Sequence, residues 1–117
     1  MKRYVLMIAL TGVLASNIAS AHAHWRASMP ANHSIVAEAP KQISLQFNEP
    51  VQLTAATIQK GEGPATKLGP LPVAAAKDFT LNAPALAPGN YMVKWRAMSD
   101  DGHIMSEKLL FTVEPAK

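Results

Sequence analysis

The clearest strand signal in the chain is the run Tyr91-Met92-Val93-Lys94-Trp95-Arg96-Ala97. Its odd-numbered positions are apolar or aromatic, whereas its even-numbered positions carry one methionine and two basic residues. This two-residue period is typical of a strand with one buried face. The Pro88-Gly89 turn precedes the run, and Tyr91 has the position of a tyrosine corner, in which the hydroxyl fixes a crossover of a β-sandwich.

Four further strands are predicted on either side of this run. They are Lys41–Phe47, Val51–Lys60, Asp78–Asn82 and a last strand from about Lys108 to Val113. Asn48-Glu49-Pro50 is expected to end or bend the first of them, because proline cannot donate a ladder hydrogen bond. Short strands separated by proline and glycine, without a helical period, predict an antiparallel β-sandwich or small barrel.

The first 21 of the 117 residues have the organisation of a secretory signal peptide. Two basic residues precede an apolar run from residue 4 to residue 14, and Ala19-Ser20-Ala21 fits the rule for cleavage sites. Cleavage there leaves residues 22–117, which is enough for one small domain. Cleavage after Ala23 is the alternative, since Ala21-His22-Ala23 fits the same rule.

The charge and cysteine content exclude several classes of partner and site. Outside the leader, nine basic residues scattered along the sequence face eight acidic ones, so a nucleic-acid partner is not expected. The chain has no cysteine, which excludes disulfides and thiolate metal sites. An exported chain of this kind is expected in the bacterial periplasm. No second apolar run reaches the ~20 residues that span a bilayer, so no membrane insertion is expected after cleavage.

The best candidate site combines the first residue after the cut with a short motif near the other end of the chain. His22 carries a free α-amino group after cleavage, and this amine and its imidazole can chelate one metal ion. Asp101 and His103 are two residues apart, so in an extended segment both side chains point to the same side. Amine, imidazole and carboxylate donors in a tetragonal arrangement favour Cu(II). A plain Asp-Gly hairpin turn is the alternative interpretation of this segment.

The other histidines, the methionines and the nucleophiles give weaker signals. His33 follows Asn32 in a turn-like stretch and is interpreted as a surface residue. Met29 and Met98 are expected to fill space in the core, since a Cu(I) site needs several converging thioethers. No nucleophile elbow, phosphate loop or HExxH pair is present, so we expect a binding protein and not an enzyme. A histidine-brace copper enzyme, which also begins with histidine, is the alternative.

Three segments of the chain resemble the CopC family of periplasmic copper-resistance proteins. They are His22–Ala31, Ile43–Val51 and Pro88–His103, of which the last is the most specific match. The resemblance covers essentially the whole chain after residue 21, and residues 61–76 match least. It implies a Greek-key β-sandwich of the immunoglobulin-like or cupredoxin-like type that binds Cu(II) in the periplasm.

The resemblance also implies which residues hold the metal. The family's N-terminal histidine falls on His22, and its aspartate and histidine ligands fall on Asp101 and His103. Glu49 lies in the family's FxE segment as a neighbour of the site, and His24 is a further candidate ligand. The methionine-rich loop of some members has no counterpart between residues 57 and 78, which implies a short, Cu(II)-only type.

The resulting hypothesis is a copper-homeostasis protein that sequesters Cu(II) and hands it over to a periplasmic or inner-membrane copper transport protein. Two non-enzymatic interpretations stay open beside it. His22-Ala23-His24 is an amine-amide-amide-imidazole motif that can wrap Cu(II) or Ni(II) without a folded site. A metal-free β-sandwich used for adhesion or assembly is the other.

Overall fold

The computed structural model describes residues 23–115, and their regular structure is all β-strand. The strands are β1 (Trp25–Met29), β2 (Ser34–Val36), β3 (Gln42–Lys60), β4 (Ala65–Lys67), β5 (Ala76–Asn82), β6 (Gly89–Ser99) and β7 (Ile104–Val113). Within residues 23–115, no helix is long and apolar enough to cross a membrane. The predicted leader, residues 1–21, and His22 lie outside the described residues.

Strand β3 joins two segments that were predicted as separate strands on either side of Asn48-Glu49-Pro50. It is continuous over 19 residues. Its first half pairs with β1 and β5, and its second half pairs with β6 and β4. The ladder with β5 shifts register between Gln46 and Val51, so Pro50, which has no N–H, lies where that ladder is interrupted. Residues 48–50 are called the β3 junction below.

The strand order builds a Greek-key β-sandwich. Hydrogen-bonded neighbours follow the order β1-β3-β6-β7-β2, and β4 and β5 also pair with β3. One layer forms around the first half of β3 and the other around its second half. The pairs are antiparallel except for the short parallel pair of β2 with β7. The predicted all-β sandwich is therefore confirmed.

Strand β7 begins earlier than its apolar pattern predicts. Its first residue is Ile104, because β7 pairs with β6 over its whole length, from Met98 opposite Ile104 to Gly89 opposite Val113. The added residues at its start are largely exposed, so they give no alternating apolar signal.

The core lies between the two layers and is lined by alternate residues of the strands. Every odd-numbered position of β6 from Tyr91 to Ser99 is buried, as its pattern predicts. The ring of Phe47 contacts Trp95 and Phe79 edge-on, with centroids 5.1 Å and 5.9 Å away. Each large apolar side chain buried here contributes about 1.5–3 kcal/mol. The buried apolar residues are Ala23, Ile43, Leu45, Phe47, Val51, Leu53, Ala56, Ile58, Leu68, Phe79, Leu81, Tyr91, Val93, Trp95, Ala97, Leu109, Phe111 and Val113.

The predicted tyrosine corner is present. The Tyr91 hydroxyl donates a hydrogen bond to the carbonyl oxygen of Ala87, four residues upstream. The Tyr91 ring also stacks on Phe111, with centroids 5.4 Å apart, and burial raises the pKa of its hydroxyl. This contact fixes the entry into β6, the strand that leads to the candidate site.

The prediction that Met29 and Met98 fill space in the core is wrong. Met29 is 66% exposed and Met98 is 37% exposed. In β1 the inward position is Ser28, and because side chains alternate along a strand, the next residue faces outward. Met98 is likewise an even-numbered residue of β6, on the face away from the core.

Candidate metal centre

Three segments meet at one end of the sandwich. Trp25, at the start of β1, pairs with Phe47 beside the β3 junction. On the other side of that junction, Val51 pairs with Ser99, the last residue of β6. The rings of Trp25 and Trp95 lie edge-on, with centroids 5.5 Å apart. The chain's first described residues, the β3 junction and the loop between β6 and β7 are thus neighbours.

The loop between β6 and β7 brings Asp101 and His103 into direct contact. Asp101 Oδ2 lies 2.7 Å from His103 Nδ1, and the backbone N–H of His103 donates to Asp101 Oδ1 at 3.2 Å. The segment is a turn and is not extended, with Gly102 in the left-handed region at φ 85°. The hairpin-turn interpretation is therefore right about the backbone, and the turn itself places the two side chains together.

Ser99 holds this pair in place through hydrogen bonds to both residues. Its hydroxyl donates to Asp101 Oδ1, and its backbone N–H donates to the carbonyl of His103 at 2.9 Å. The N–H of Gly102 returns a bond to the carbonyl of Ser99 at 2.9 Å. Ser99 was not singled out as a site residue from the sequence. The available signal was its odd-numbered position in β6, which turns a polar side chain inward at the root of the loop.

The hydrogen bonds around Asp101 fix its charge. Donation from the Ser99 hydroxyl, and then from the side chain and backbone of His103, holds the pKa of the Asp101 carboxyl well below its usual range, because these bonds favour the charged form. An ionised carboxylate is an acceptor only, so His103 Nδ1 is the donor in this hydrogen bond, and Nε2 is the ring nitrogen that Asp101 does not contact. The side chains of His103 and Asp101 are 67% and 40% exposed, which leaves the pair accessible to an ion from solvent.

The first described residues are fixed to the β3 junction. The backbone N–H of His24 donates to Asn48 Oδ1, and the N–H of Asn48 donates to the carbonyl of His24 at 3.1 Å. Ala23 is only 4% exposed and belongs to the core, whereas the His24 side chain is exposed. Asn48 was also not singled out from the sequence, because its partner is 24 residues away along the chain.

The structure brings together some of the predicted site residues and separates others. Asp101 and His103 are in contact. His24 is hydrogen-bonded to Asn48, which precedes Glu49 in the β3 junction at the same end of the sandwich. His33 lies on a different turn and is exposed, with φ at 64°. Its backbone N–H donates to the carbonyl oxygen of Leu110. Leu110 is about 20 Å along β7 from Ile104, the residue that follows His103. Among residues 23–115, no group of three or more histidine, aspartate or glutamate side chains is close enough to hold a metal ion.

The chain matches known proteins over most of its length. The CopC domain family matches residues 25–114. Protein YobA of Escherichia coli strain K12 is 32% identical over 118 residues, which cover 96% of this chain and 94% of YobA. Copper resistance protein C of Pseudomonas syringae pv. tomato is 34% identical over 113 residues, which cover 88% of this chain and 89% of that protein.

Solved structures of similar sequence have the same fold. The crystal structure of CopC from Methylosinus trichosporium OB3b superposes with a TM-score of 0.69 at 32% identity, over 82% of this chain and 97% of that one. PcoC, a methionine-rich copper resistance protein from Escherichia coli, superposes with a TM-score of 0.62 at 31% identity, over 80% and 100% of the two chains. The chain therefore belongs to the CopC family.

Proposed function

We propose that this protein binds Cu(II) in the bacterial periplasm and serves copper homeostasis and resistance by sequestering the ion and handing it over. The observation that carries the proposal is the hydrogen-bonded Asp101–His103 pair, held at the same end of the sandwich as Ala23. Relatives that are named copper resistance proteins support the choice of metal. In this proposal residues 1–21 are a cleaved signal peptide and residues 22–117 are the copper-binding domain.

The remaining donors come from His22. One peptide bond, which spans about 3.8 Å between Cα atoms, joins His22 to the buried Ala23. After cleavage, the His22 amine and ring supply two nitrogens, and His103 supplies a third. Asp101 contributes an oxygen more weakly and orients the His103 ring, as outer carboxylates do for metal-bound histidines. These nitrogen and oxygen donors suit Cu(II), and the absence of sulfur makes them poor hosts for Cu(I).

The contacts of His24 favour this folded site over the local His22-Ala23-His24 motif. The local motif needs the amide nitrogens of Ala23 and His24 as deprotonated metal donors. The His24 amide instead donates to Asn48, and Ala23 is buried in the core. Wrapping a metal with these amides would break that hydrogen bond and withdraw Ala23 from the core, whereas the folded site keeps both.

Replacing His103 with alanine tests the folded site. We expect the Cu(II) affinity, measured by competition titration against a chelator, to fall by more than the roughly 10–100-fold that changes outside the ligand set cause. His33→Ala is the matched control, because His33 is an exposed histidine on another turn, and its affinity should equal that of the wild type. Unchanged affinity in His103→Ala would favour the local motif.

Mass spectrometry of the exported protein tests the role of the cut. The mature chain is expected to begin at His22 and to carry one copper ion under native conditions. A first residue other than His22, or a protein that stays metal-free in excess Cu(II), would contradict the proposal. Oxygen consumption by the copper-loaded protein in the presence of a reductant would contradict a role in binding alone.

A further inference from the structure

Basic residues that are scattered in the sequence gather on one outward face of the sandwich. On β6, even-numbered residues face away from the core, and Lys94 and Arg96 are two of them. Lys94 pairs with Lys108 of β7 on one side and with Thr57 of β3 on the other. Thr57 in turn pairs with Lys67 of β4. Lys67, Lys94, Arg96 and Lys108 are called the basic face below.

The charge on this face is not balanced locally. Residues 23–115 contain eight basic and eight acidic residues, so this part of the chain is formally neutral. Four of the basic residues lie on the basic face, and of the eight acidic residues only Glu107 lines the groove there, which leaves four basic residues against seven acidic ones elsewhere. The positions that pair with even-numbered residues 92–98 of β6 include no carboxylate. Within the described part of the chain, no carboxylate forms an ion pair with these four cations.

Protection of a strand edge does not explain the arrangement. Lysine on an edge strand commonly blocks pairing with other chains, and this could account for Lys67 and Lys108. Lys94 and Arg96, however, lie on β6, which has β3 on one side and β7 on the other. Lys94 and Lys108 are also directly opposite each other, an arrangement of like charges that destabilises a sheet. Edge protection therefore accounts for at most two of the four cations.

Apolar side chains and a shallow groove accompany the cations. Met98 and Ile104 form the pair next to Arg96, and Leu110 lies beyond Lys108; all three are exposed. A groove of about 320 Å³ lies over this face, and its charged lining residues are Lys94, Arg96 and Lys108 together with Glu107. Methionine and arginine are enriched at protein–protein interfaces, whereas lysine, which supplies three of the four cations, is depleted, so it is the charge of the face that indicates a partner here.

The basic face continues to the candidate metal centre. Met98 and Ile104 are the last pair before the loop that carries Asp101 and His103. Arg96 is three residues from Ser99, which corresponds to about 10 Å along a strand. A partner that covers Arg96 and the Met98–Ile104 pair therefore reaches the loop as well.

We propose that the basic face is a docking surface for an acidic protein partner that receives the copper. This proposal rests on the proposed function and adds the chemistry of the recipient: a carboxylate-rich surface with an apolar centre. The uncompensated positive charge would steer such a partner to the face and orient it so that the Asp101–His103 loop lies at the contact. The basic face itself binds no metal.

The probe is a capped peptide of ten glutamates. It is titrated into the copper-free, isotope-labelled domain (residues 22–117), and the amide signals of the domain are followed by NMR. Amide shifts are expected on β6 and β7 around Lys94 and Lys108 and should disappear at high salt. Neutralising the basic face with K67Q, K94Q, R96Q and K108Q together should weaken binding roughly tenfold or more, since four exposed ion pairs are lost. Unchanged circular dichroism would show that this variant is folded.

The other four basic residues of the described chain give a matched control, because they also comprise one arginine and three lysines. The control variant carries R26Q, K41Q, K60Q and K77Q and has the same net charge as the basic-face variant. It should keep the affinity of the wild type for the peptide. Equal weakening in both variants would mean that only net charge matters and would overturn the proposal.

Anionic phospholipid vesicles provide the competing ligand. Binding of the wild type to phosphatidylglycerol vesicles but not to the glutamate peptide would overturn a protein partner in favour of a membrane surface. Because peptide binding is measured without copper, its failure is distinct from a failure of the copper site. The Cu(II) affinity of the basic-face variant is measured separately and should match the wild type.

Discussion

The two halves of the candidate metal centre are built in opposite ways. The loop with Asp101 and His103 is fixed by hydrogen bonds that span no more than four residues, all of them within residues 99–103. The first described residues are fixed by Asn48, which is 24 residues from His24 along the chain. One half therefore forms with its hairpin, whereas the other requires the assembled sandwich and, in the proposed site, cleavage before His22.

The largest effect is expected from a change at His22, in the half of the proposed site that lies at the first residues of the domain. In the proposed site, one glycine added before His22 would convert the free amine into an amide and remove one nitrogen donor. The Cu(II) affinity should fall by more than about 100-fold, beyond what outer-shell changes cause, as measured by competition titration. One glycine added after Lys117 is the control and should change nothing. Equal affinity in both extended proteins would show that the amine is not a ligand.

A smaller effect is expected in the first half of the site, from Ser99→Ala. Without the Ser99 hydroxyl, Asp101 and the His103 ring are less firmly positioned, and the Cu(II) affinity should fall about tenfold. Ser106→Ala, at an exposed position of β7, is the matched control. If Ser99→Ala binds Cu(II) as tightly as the wild type, the loop does not need the Ser99 hydroxyl to position Asp101 and His103.

Ser99→Ala should also raise the pKa of Asp101 toward its usual value, because the hydroxyl is the main cause of the lowered pKa. In the copper-free protein, the folded pKa lies below the unfolded one. The resulting stability is therefore complete above the usual aspartate pKa near 3.9 and is lost as the pH falls from there through the folded pKa. NMR titration of the Asp101 carboxyl measures its pKa in the folded wild type and in the folded Ser99→Ala variant. An equal pKa in the two proteins would contradict the role of Ser99.

Asn48→Ala should have a more modest effect that is divided between stability and binding. It removes the acceptor for the His24 N–H, and the loss of one such hydrogen bond costs about 1 kcal/mol. Denaturant unfolding should show this loss of stability. The Cu(II) affinity should fall a few-fold, because Ala23 and His24 are less firmly held against the β3 junction. Asn82→Ala, at the exposed end of β5, is the control. A fall in affinity as large as that in His103→Ala would mean that the β3 junction does more than hold Ala23 and His24 in place.

The smallest effect is expected from Glu49→Gln. Glu49 lies at the β3 junction and is half-buried, and within residues 23–115 it makes no hydrogen bond or ion pair with Asp101 or His103. The Cu(II) affinity should stay within about twofold of the wild type, as for most substitutions away from a ligand. Glu107→Gln provides a comparison on β7. A tenfold loss specific to Glu49 would place this carboxylate on the metal.

Local patterns were sufficient to predict much of the fold. The alternation in β6 predicted its buried face, and the Pro88-Gly89 turn predicted the hydroxyl contact of Tyr91. The spacing of Asp101 and His103 predicted that they share a site, although a turn and not an extended segment brings them into contact. These features depend on residues close together in the sequence.

Features that depend on distant partners were not predictable in this way. The continuity of β3 through Pro50 depends on partners in two layers, and the exposure of Met29 depends on the register of β1 against β3. The basic face combines residues from β4, β6 and β7, which are far apart in the sequence. Composition gives the number of charges on a chain, and only the strand register gives their arrangement.

The continuous strand β3 also determines how the molecule opens. The chain has no cysteine, so no disulfide ties the two layers together. A single strand whose 19 residues pair with four others instead belongs to both layers. Detaching either layer therefore removes the partner of the other, and the backbone amides of both are expected to exchange with solvent through one common opening. The end that carries Asp101 and His103 would then persist, or be lost, together with the rest of the sandwich.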